Sequence, residues 1–415
     1  MRYSALALLW NGLRGHRDWP RLWRDAAPKP RYDAIIIGGG GHGLATAYYL
    51  ATEHGLRNIA VLEKGWLGGG NVARNTAIVR SNYLMPESSS LYDHALRLWE
   101  SMARDLNYNV MFSQRGAVNL AHTEYDLLKV RQRVEANRAN GVTSEYMDLP
   151  ALRRLLPILN TDRNLQLPVL GASFQKTAGI ARHDAVVWGY ARVLQELGVD
   201  IIQNCEVTGI DVAAGRVTGV QTARGPIRAA KVCITVSGSS SIVAALAGFR
   251  LPVTTTVLQA MVSEPIKPLL DTVVMSGSLH LYVNQSDKGE MVFGLAPDRF
   301  QGYGSTGSFH ILEQSMRAVC EYFPMLRRLR MMRQWSGIIE ASTDGSPILG
   351  KSPVAGLYVN AGWGSGGFKA TPAAGLVMAH TIARDEPHPL NAPFSLERFS
   401  NGRLVDELSA GAVAH

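Results

Sequence analysis

The sequence predicts an α/β fold organised as two interleaved domains, and three observations carry that expectation. The chain has 415 residues, beyond the roughly 250–300 at which a single hydrophobic core stops growing. A βαβ unit opens at Tyr32 and closes on Glu63. Short alternating strands then occupy Pro252 to Gly294, before buried-strand texture returns at Gly356–Ala361.

The elements follow in order. Asp33–Ile37 is continuous in Ile character, as a strand covered on both faces must be. Gly38–Gly43 is a turn, a helix runs from Leu44 to about His54, and Asn58–Leu62 is a second buried strand. A long helix-rich stretch spans Ser88–Leu156, punctuated by Pro157 and Pro168. A helix at Asp184–Leu197 precedes strands at Val199–Gln203 and Glu206–Ile210; Val217–Ala223 with Gly225-Pro226 reads as a hairpin, and Lys231–Val236 as another buried strand. Helix Phe309–Glu321 follows the alternating strands, and a Gly-rich loop after Ala361 leads into helix Thr371–Ile382, with Pro372 in its first turn.

Composition narrows the function classes. Hydrophobic residues at 46% and charged residues at 18% describe an ordinary globular chain. The net charge of +8 is concentrated in residues 1–31, where Arg2, Arg14, Arg17, Arg21, Arg24, Lys29 and Arg31 face only Asp18 and Asp25. That arm carries +5 and the other 384 residues +3, so no nucleic-acid partner is expected. Leu6, Leu9, Trp10 and Leu13 recur at helical spacing in the arm, followed by Trp19, Leu22 and Trp23. Packing on its own body, anchoring a partner subunit and lying on a membrane surface are its three readings; Trp and Arg favour a subunit contact. No run approaches 18 apolar residues, so nothing is expected to span a membrane. Ala5–Trp10 is too short for a secretion signal. The cysteines Cys205, Cys233 and Cys320 form no CxxC pair, which argues for a reducing, cytoplasmic compartment. No metal site is expected in this chain.

The turn carries the chemistry. Gly38, Gly40 and Gly43 satisfy G-x-G-x-x-G, with Gly41 and His42 between them. The first glycine makes the turn, the second admits a pyrophosphate and the third seats helix on strand. The helix N-terminus then presents unpaired N–H groups to the phosphates. Glu63, twenty residues beyond Gly43, ends the next strand, where a carboxylate takes ribose hydroxyls. This context makes the unit Rossmann-like. Gly68-Gly69-Gly70-Asn71 downstream and the C-terminal return favour FAD over NAD.

At this point the chain resembles the β-subunit family of heterotetrameric sarcosine oxidases, within the D-amino-acid-oxidase-like flavin amine oxidases. The segments that carry the resemblance begin at Ile37 (IGGGGHGLATAYYL), Val61 (VLEKGWLGGGNVARNTAIVRSNYL), Phe112, Ala178 (AGIARHD), Ile202 and Val359 (VNAGWGSGGFKATP). It implies a doubly wound FAD-binding domain at 32–110, 178–250 and 335–415, and a substrate and FMN-interface domain on a mainly antiparallel sheet at 111–177 and 251–334. It implies oxidative demethylation of sarcosine at noncovalent FAD. Electrons would pass to a covalent FMN shared with an α subunit and then to O2, giving H2O2. It also implies γ and δ partners, with NAD, tetrahydrofolate and zinc held by partner subunits.

The resemblance assigns residues as well. His183, in Gly179-Ile-Ala-Arg-His183, corresponds to the FMN attachment point on an exposed subunit face, although Ala185 stands where family members often carry a second histidine. Arg80 and Lys369 correspond to the pair that binds the substrate carboxylate, the guanidinium as a fork and the ammonium as a point charge. Gly364 and Gly367 lie in the loop ahead of a helix whose N-terminus would face the flavin pyrimidine edge. Asn71, Arg74, Thr76, His42 and the backbone at Val207 are expected beside FAD. Monomeric relatives tether FAD through a cysteine; Gly337 stands there in this chain, so FAD is expected to be noncovalent. The alternatives are an oxidase or dehydrogenase for another secondary or tertiary amino acid (dimethylglycine or an opine-like compound), a flavin-binding electron-transfer subunit with no substrate of its own, and an NAD-dependent dehydrogenase.

Overall fold

A computed structural model describes residues 4–17, 23–24 and 26–407. The first sheet has six strands, in the order Ile348–Lys351, Leu357–Ala361, Val232–Ile234, Ala34–Ile37, Ile59–Leu62, Asp200–Ile202. All neighbours are parallel except the edge pair Ile348–Lys351 and Leu357–Ala361. Ala34 and Ile36 point to the helices Gly41–Glu53 and Gly367–Arg384. Ile35 and Ile37 point the opposite way, onto a small antiparallel sheet of Val207–Ala213, Arg216–Thr222 and Ile227–Arg228. Both faces of the strand are therefore dry, and its unbroken Ile run follows from that. Strand Ala34–Ile37 lies mid-sheet, with crossovers leaving to either side, the position at which a crevice opens at the strand C-termini.

The second sheet has eight strands, in the order Met331–Ser342, Val253–Pro265, Glu290–Gln301, Leu281–Gln285, Val273–Ser276, Ala117–Ala121, Gly171–Gln175, Glu145–Met147. Only the pairing of Val273–Ser276 with Ala117–Ala121 is parallel. Its core sets Val283, Phe293 and Leu295 against Ile311 and Val319 of helix Phe309–Tyr322. A two-stranded ribbon, Ile78–Val79 with Gly179–Ile180, lies apart from both sheets.

Three expectations are refined. Strand Met331–Ser342 pairs with Val253–Pro265 along its length, so the boundary expected at 335 cuts through a strand of the eight-stranded sheet. The alternation Gly337-Ile-Ile-Glu-Ala does not distinguish an edge strand of one sheet from a strand of the other. The stretch 88–156 contains strands Ala117–Ala121 and Glu145–Met147 beside its helices. The C-terminal helix starts at Gly367 rather than Thr371, and Pro372 lies inside it. Its glycines disguise a helical start as loop, because helix propensity is low where backbone approach matters more.

In the arm, helix Ala5–Leu13 is capped by Ser4 and buries none of its residues. Lys29 Nζ lies 2.7 Å from Asp200, Arg24 pairs with the same carboxylate, and the Tyr32 hydroxyl donates to it at 3.0 Å. The arm is thus bolted to the body at its C-terminal end. Arg2, Asp18, Trp19, Arg21, Leu22 and Asp25 lie outside the described residues.

Candidate functional site

Local geometry builds the dinucleotide turn. Gly38 has a φ of 110° and donates to Leu62 O at 2.8 Å. A Cβ on Gly43 would stand 2.0 Å from the Gly38 carbonyl oxygen, so only glycine lets helix and strand meet there. Beside Gly40 nothing lies within 4 Å, and helix Gly41–Glu53 has no side-chain cap. Open space in front of uncapped N–H groups is what a pyrophosphate needs. Glu63 accepts from Gly39 N and from Gly65 N, both at 2.9 Å. Its carboxylate therefore also fixes the turn, with acceptor capacity left for ribose hydroxyls.

The second Gly-rich segment is stitched to the eight-stranded sheet. Asn71 acts as one residue of a false strand: Ile338 N donates to its Oδ1 at 3.1 Å, and its Nδ2 donates to Ile338 O. Arg74 donates to Gly69 O at 2.6 Å, and Trp335 Nε1 to Arg74 O at 2.8 Å. A Cβ at Gly337 would stand 3.1 Å from Asn71 Oδ1, so the place of the absent cysteine is occupied by close packing. Thr76 O accepts weakly from Asn284 Nδ2 at 3.5 Å, and Val207 begins its strand opposite Thr222.

The ribbon places Arg80 directly after Val79. Arg80 is 4% exposed and donates to Asn82 Oδ1 at 2.8 Å. Lys369, 6% exposed, sits in the first turn of helix Gly367–Arg384 rather than in a loop; its Nζ reaches Ser365 O at 3.1 Å and the Tyr83 hydroxyl at 3.5 Å. Both cations lie over the ring of Tyr83, at 4.9 and 5.9 Å from its centroid. Tyr83 in turn stacks on Tyr92 at 3.8 Å. Among the described residues neither cation has a carboxylate partner. Burial, aided by the Arg80 charge, holds the Lys369 ammonium well below the usual lysine range. Two buried cations around one aromatic ring form a receptor for an anion.

Gly364 lies in a short 3-10 turn ahead of Gly367, the first residue of the helix. The His42 ring is committed within the protein, with Nδ1 3.0 Å from Asn360 Oδ1 and Nε2 2.8 Å from Gly367 O. The imidazole thereby couples the two helix N-termini that face the crevice, and His42 keeps its place in the first turn of helix Gly41–Glu53. Burial lowers its pKa, against the pull of those two bonds.

His183 is the first residue of helix His183–Glu196. It is half-buried rather than exposed, and its Nδ1 is buried with no hydrogen-bond partner among the described residues. Burial lowers its pKa, with Arg182 adding to and Asp184 opposing the effect. The neighbours Arg182 and Asp184 are engaged with each other, at 2.8 and 3.0 Å. Ala181 N donates to Ala77 O at 3.0 Å, so the His183 segment lies beside the chain that follows Asn71–Arg74. Among the described residues no cluster of His, Cys, Asp or Glu could hold a metal, and no helix is long and apolar enough to cross a membrane.

Sequence reasoning missed Tyr83, Tyr92 and Glu340. Tyr83 stands three residues after Arg80, a spacing without meaning until the ribbon turns the chain back. Glu340 is 2% exposed, accepts from Ser240 N at 2.7 Å, and leaves Oε2 unpartnered. Burial pushes its carboxyl up to about 7, against the bonds from Ser240. The folded protein therefore holds this proton where the unfolded chain has released it. Stability is full below the ordinary glutamate range and declines as pH rises to about 7. Glu340→Gln is expected to flatten the fall in Tm between about pH 5 and pH 7; an unchanged slope in thermal melts would refute this.

A profile of the FAD dependent oxidoreductase family matches residues 33–381. The chain is 54% identical to the sarcosine oxidase subunit beta of Arthrobacter sp, over 95% of this chain and 97% of that one. It is 50% identical to the sarcosine oxidase subunit beta of Rhodobacter capsulatus, over 100% of both. Among solved structures, the L-proline dehydrogenase of P. horikoshii superposes with a TM-score of 0.83 at 23% identity, covering 91% of this chain and 100% of that chain, a likeness of fold.

Proposed function

This chain belongs to the FAD dependent oxidoreductase family, among its sarcosine oxidase β subunits, and from that premise we propose that it oxidatively demethylates sarcosine at a noncovalent FAD. The observation that carries the substrate reading is the buried Arg80–Tyr83–Lys369 receptor, whose two basic groups pair with no carboxylate among the described residues. Its two buried basic groups suit an amino acid bound by its carboxylate.

The residues fit FAD. The Gly38–Gly43 turn and the uncapped helix behind it suit the pyrophosphate and Glu63 the ribose; the same reading sets His42, Asn71, Arg74, Thr76 and the backbone at Val207 beside FAD. Gly364, Gly367 and the helix N-terminus they open offer N–H groups toward a flavin's electron-rich edge. When bound, FAD supplies the two-electron acceptor for the amine C–H bond. Arg80 binds and orients the substrate carboxylate as a fork, and Lys369 adds the second charge. With its ammonium held low in pKa, Lys369 gains charge most readily when a carboxylate arrives. No side chain is assigned as general base, because sarcosine entering as the free amine needs none.

The same reading attaches FMN covalently at His183. An imidazole whose charged form is disfavoured by burial, with a buried Nδ1 that has no hydrogen-bond partner among the described residues, is a suitable nucleophile for such a bond. The reading includes α, γ and δ partner subunits, O2 as final acceptor giving H2O2, transfer of the one-carbon unit to tetrahydrofolate in α, NAD and zinc in partner chains, and a cytoplasmic location. The exposed Leu6, Leu9, Trp10 and Leu13 of the arm are available for a subunit contact. Intact mass tests it: the denatured chain from the assembled enzyme should be heavier by one FMN, mapped to the peptide with His183. His183→Asn should abolish the gain while FAD is still released on denaturation. A chain of unmodified mass overturns the FMN assignment.

A further inference from the structure

Helix Pro86–Asp105 begins beside the carboxylate receptor, and its N-cap residue Met85 provides no side-chain cap. The cap comes from the far end of the chain. Glu407 Oε1 accepts from Met85 N at 2.9 Å and Oε2 from Leu84 N at 3.4 Å. Glu407 is itself anchored: its N–H donates to Asp344 O at 3.0 Å, Val405 N donates to Asp344 Oδ2 at 3.2 Å, and Ser346 Oγ donates to Val405 O at 2.6 Å. Asp344 is held in turn by the buried Arg398. A continuous set of bonds thus runs from Arg398 through Asp344 and Glu407 to the residues that follow Tyr83.

The opposite side of the same segment is held by neutral groups. Asn137 Nδ2 and Ser89 Oγ donate to Tyr83 O at 2.5 and 2.8 Å, and Asn140 Nδ2 to Leu84 O at 3.4 Å. Glu407 brings a carboxylate to it. The buried Arg133 lies within electrostatic reach of Arg80, Glu407 and Tyr83: burial lowers its pKa to about 10, Arg80 adds to that, and Glu407 opposes it. The Glu407 carboxylate therefore offsets Arg133 beside Arg80 without occupying the receptor.

We propose that Glu407 is a positioning residue for the substrate carboxylate: it caps Leu84 and Met85, fixes Tyr83 between Arg80 and Lys369, and makes the C-terminal segment part of the substrate site. The inference rests on the carboxylate-receptor reading above. An aromatic ring shared by two cations has to be held in one place, since a shift of about 1 Å at such a site weakens ligand alignment strongly.

The test titrates methoxyacetate, a carboxylate with sarcosine's shape and no amine, into the FAD-bound protein and follows the visible flavin spectrum. Glu407→Gln is expected to raise its Kd roughly five- to twenty-fold, with FAD content unchanged and the loss in turnover falling on KM rather than kcat. Glu407→Asp, which keeps the charge one methylene short, should give an intermediate Kd. Equal Kd values for wild type, Glu407→Gln and Glu407→Asp, with Arg80→Ala weakened, overturn this inference alone. An unchanged Kd in Arg80→Ala overturns the receptor reading beneath it.

Discussion

Arg80→Ala is expected to lower kcat/KM for sarcosine-driven reduction of the bound flavin by about two to three orders of magnitude. The guanidinium is buried, its hydrogen bond within the protein goes to neutral Asn82, and Lys369 is the other basic group over the Tyr83 ring. Removing it leaves a carboxylate to be desolvated against one amine that burial already holds below the usual lysine range. The fold should tolerate the change, because a single hydrogen bond and one ring contact are lost. Arg80→Lys should fall between, since it restores charge without the fork. The measurement is the anaerobic rate of flavin bleaching against sarcosine concentration. A rate within a few-fold of wild type would remove Arg80 from the substrate site, and no bleaching by sarcosine in the wild type would favour a flavin-binding electron-transfer subunit without its own substrate. Faster bleaching by dimethylglycine or proline analogues than by sarcosine would move the substrate assignment and leave the receptor in place.

The second large effect is on stability. Arg398 and Asp344 form a bidentate pair at 2.7 and 2.8 Å, with side chains 1% and 0% exposed. Burial alone would raise the Asp344 carboxyl, and the Arg398 bonds outweigh it and hold it below the usual aspartate range. The remaining donors of Arg398 reach Phe394 O, Ser395 O and Ser346 O. Arg398→Ala leaves a buried carboxylate uncompensated, a loss of about 3–5 kcal/mol, readable as a lower urea midpoint at constant m. The double variant Arg398→Met with Asp344→Leu should regain much of it, because no charge is then stranded. A single variant within about 0.5 kcal/mol of wild type would show the pair to be dispensable. The same change should weaken carboxylate binding, as Asp344 carries the segment that ends on Glu407.

Legibility in the sequence followed how local each feature is. Strand Ala34–Ile37, the turn and helix Gly41–Glu53 were readable because neighbours in sequence set them: the glycines remove Cβ atoms where backbones meet, and the Ile run records burial on both faces. Helix Phe309–Tyr322 was readable from its spacing, and its observed span differs from expectation by one residue. The start of helix Gly367–Arg384 was not, because glycines selected for close approach carry little helical preference. The pairing of strand Met331–Ser342 with Val253–Pro265 was not readable, because partners nearly eighty residues away, such as Ala260 with Trp335, are invisible to local pattern.

The turn after Tyr32 and its closing acid were thus determined by the sequence alone, and with them the likeness to flavin enzymes. Arg80, Lys369 and His183 could be named through the resemblance, but their surroundings could not. Tertiary structure decided that Tyr83 is shared by two buried cations, that His42 is spent on Asn360 and Gly367, that His183 is half-buried, and that Glu407 reaches Leu84. The physical reason is common to all four. A turn depends on dihedral angles along a few residues, whereas burial, charge and hydrogen-bond partners are set by elements that meet only after the chain has folded.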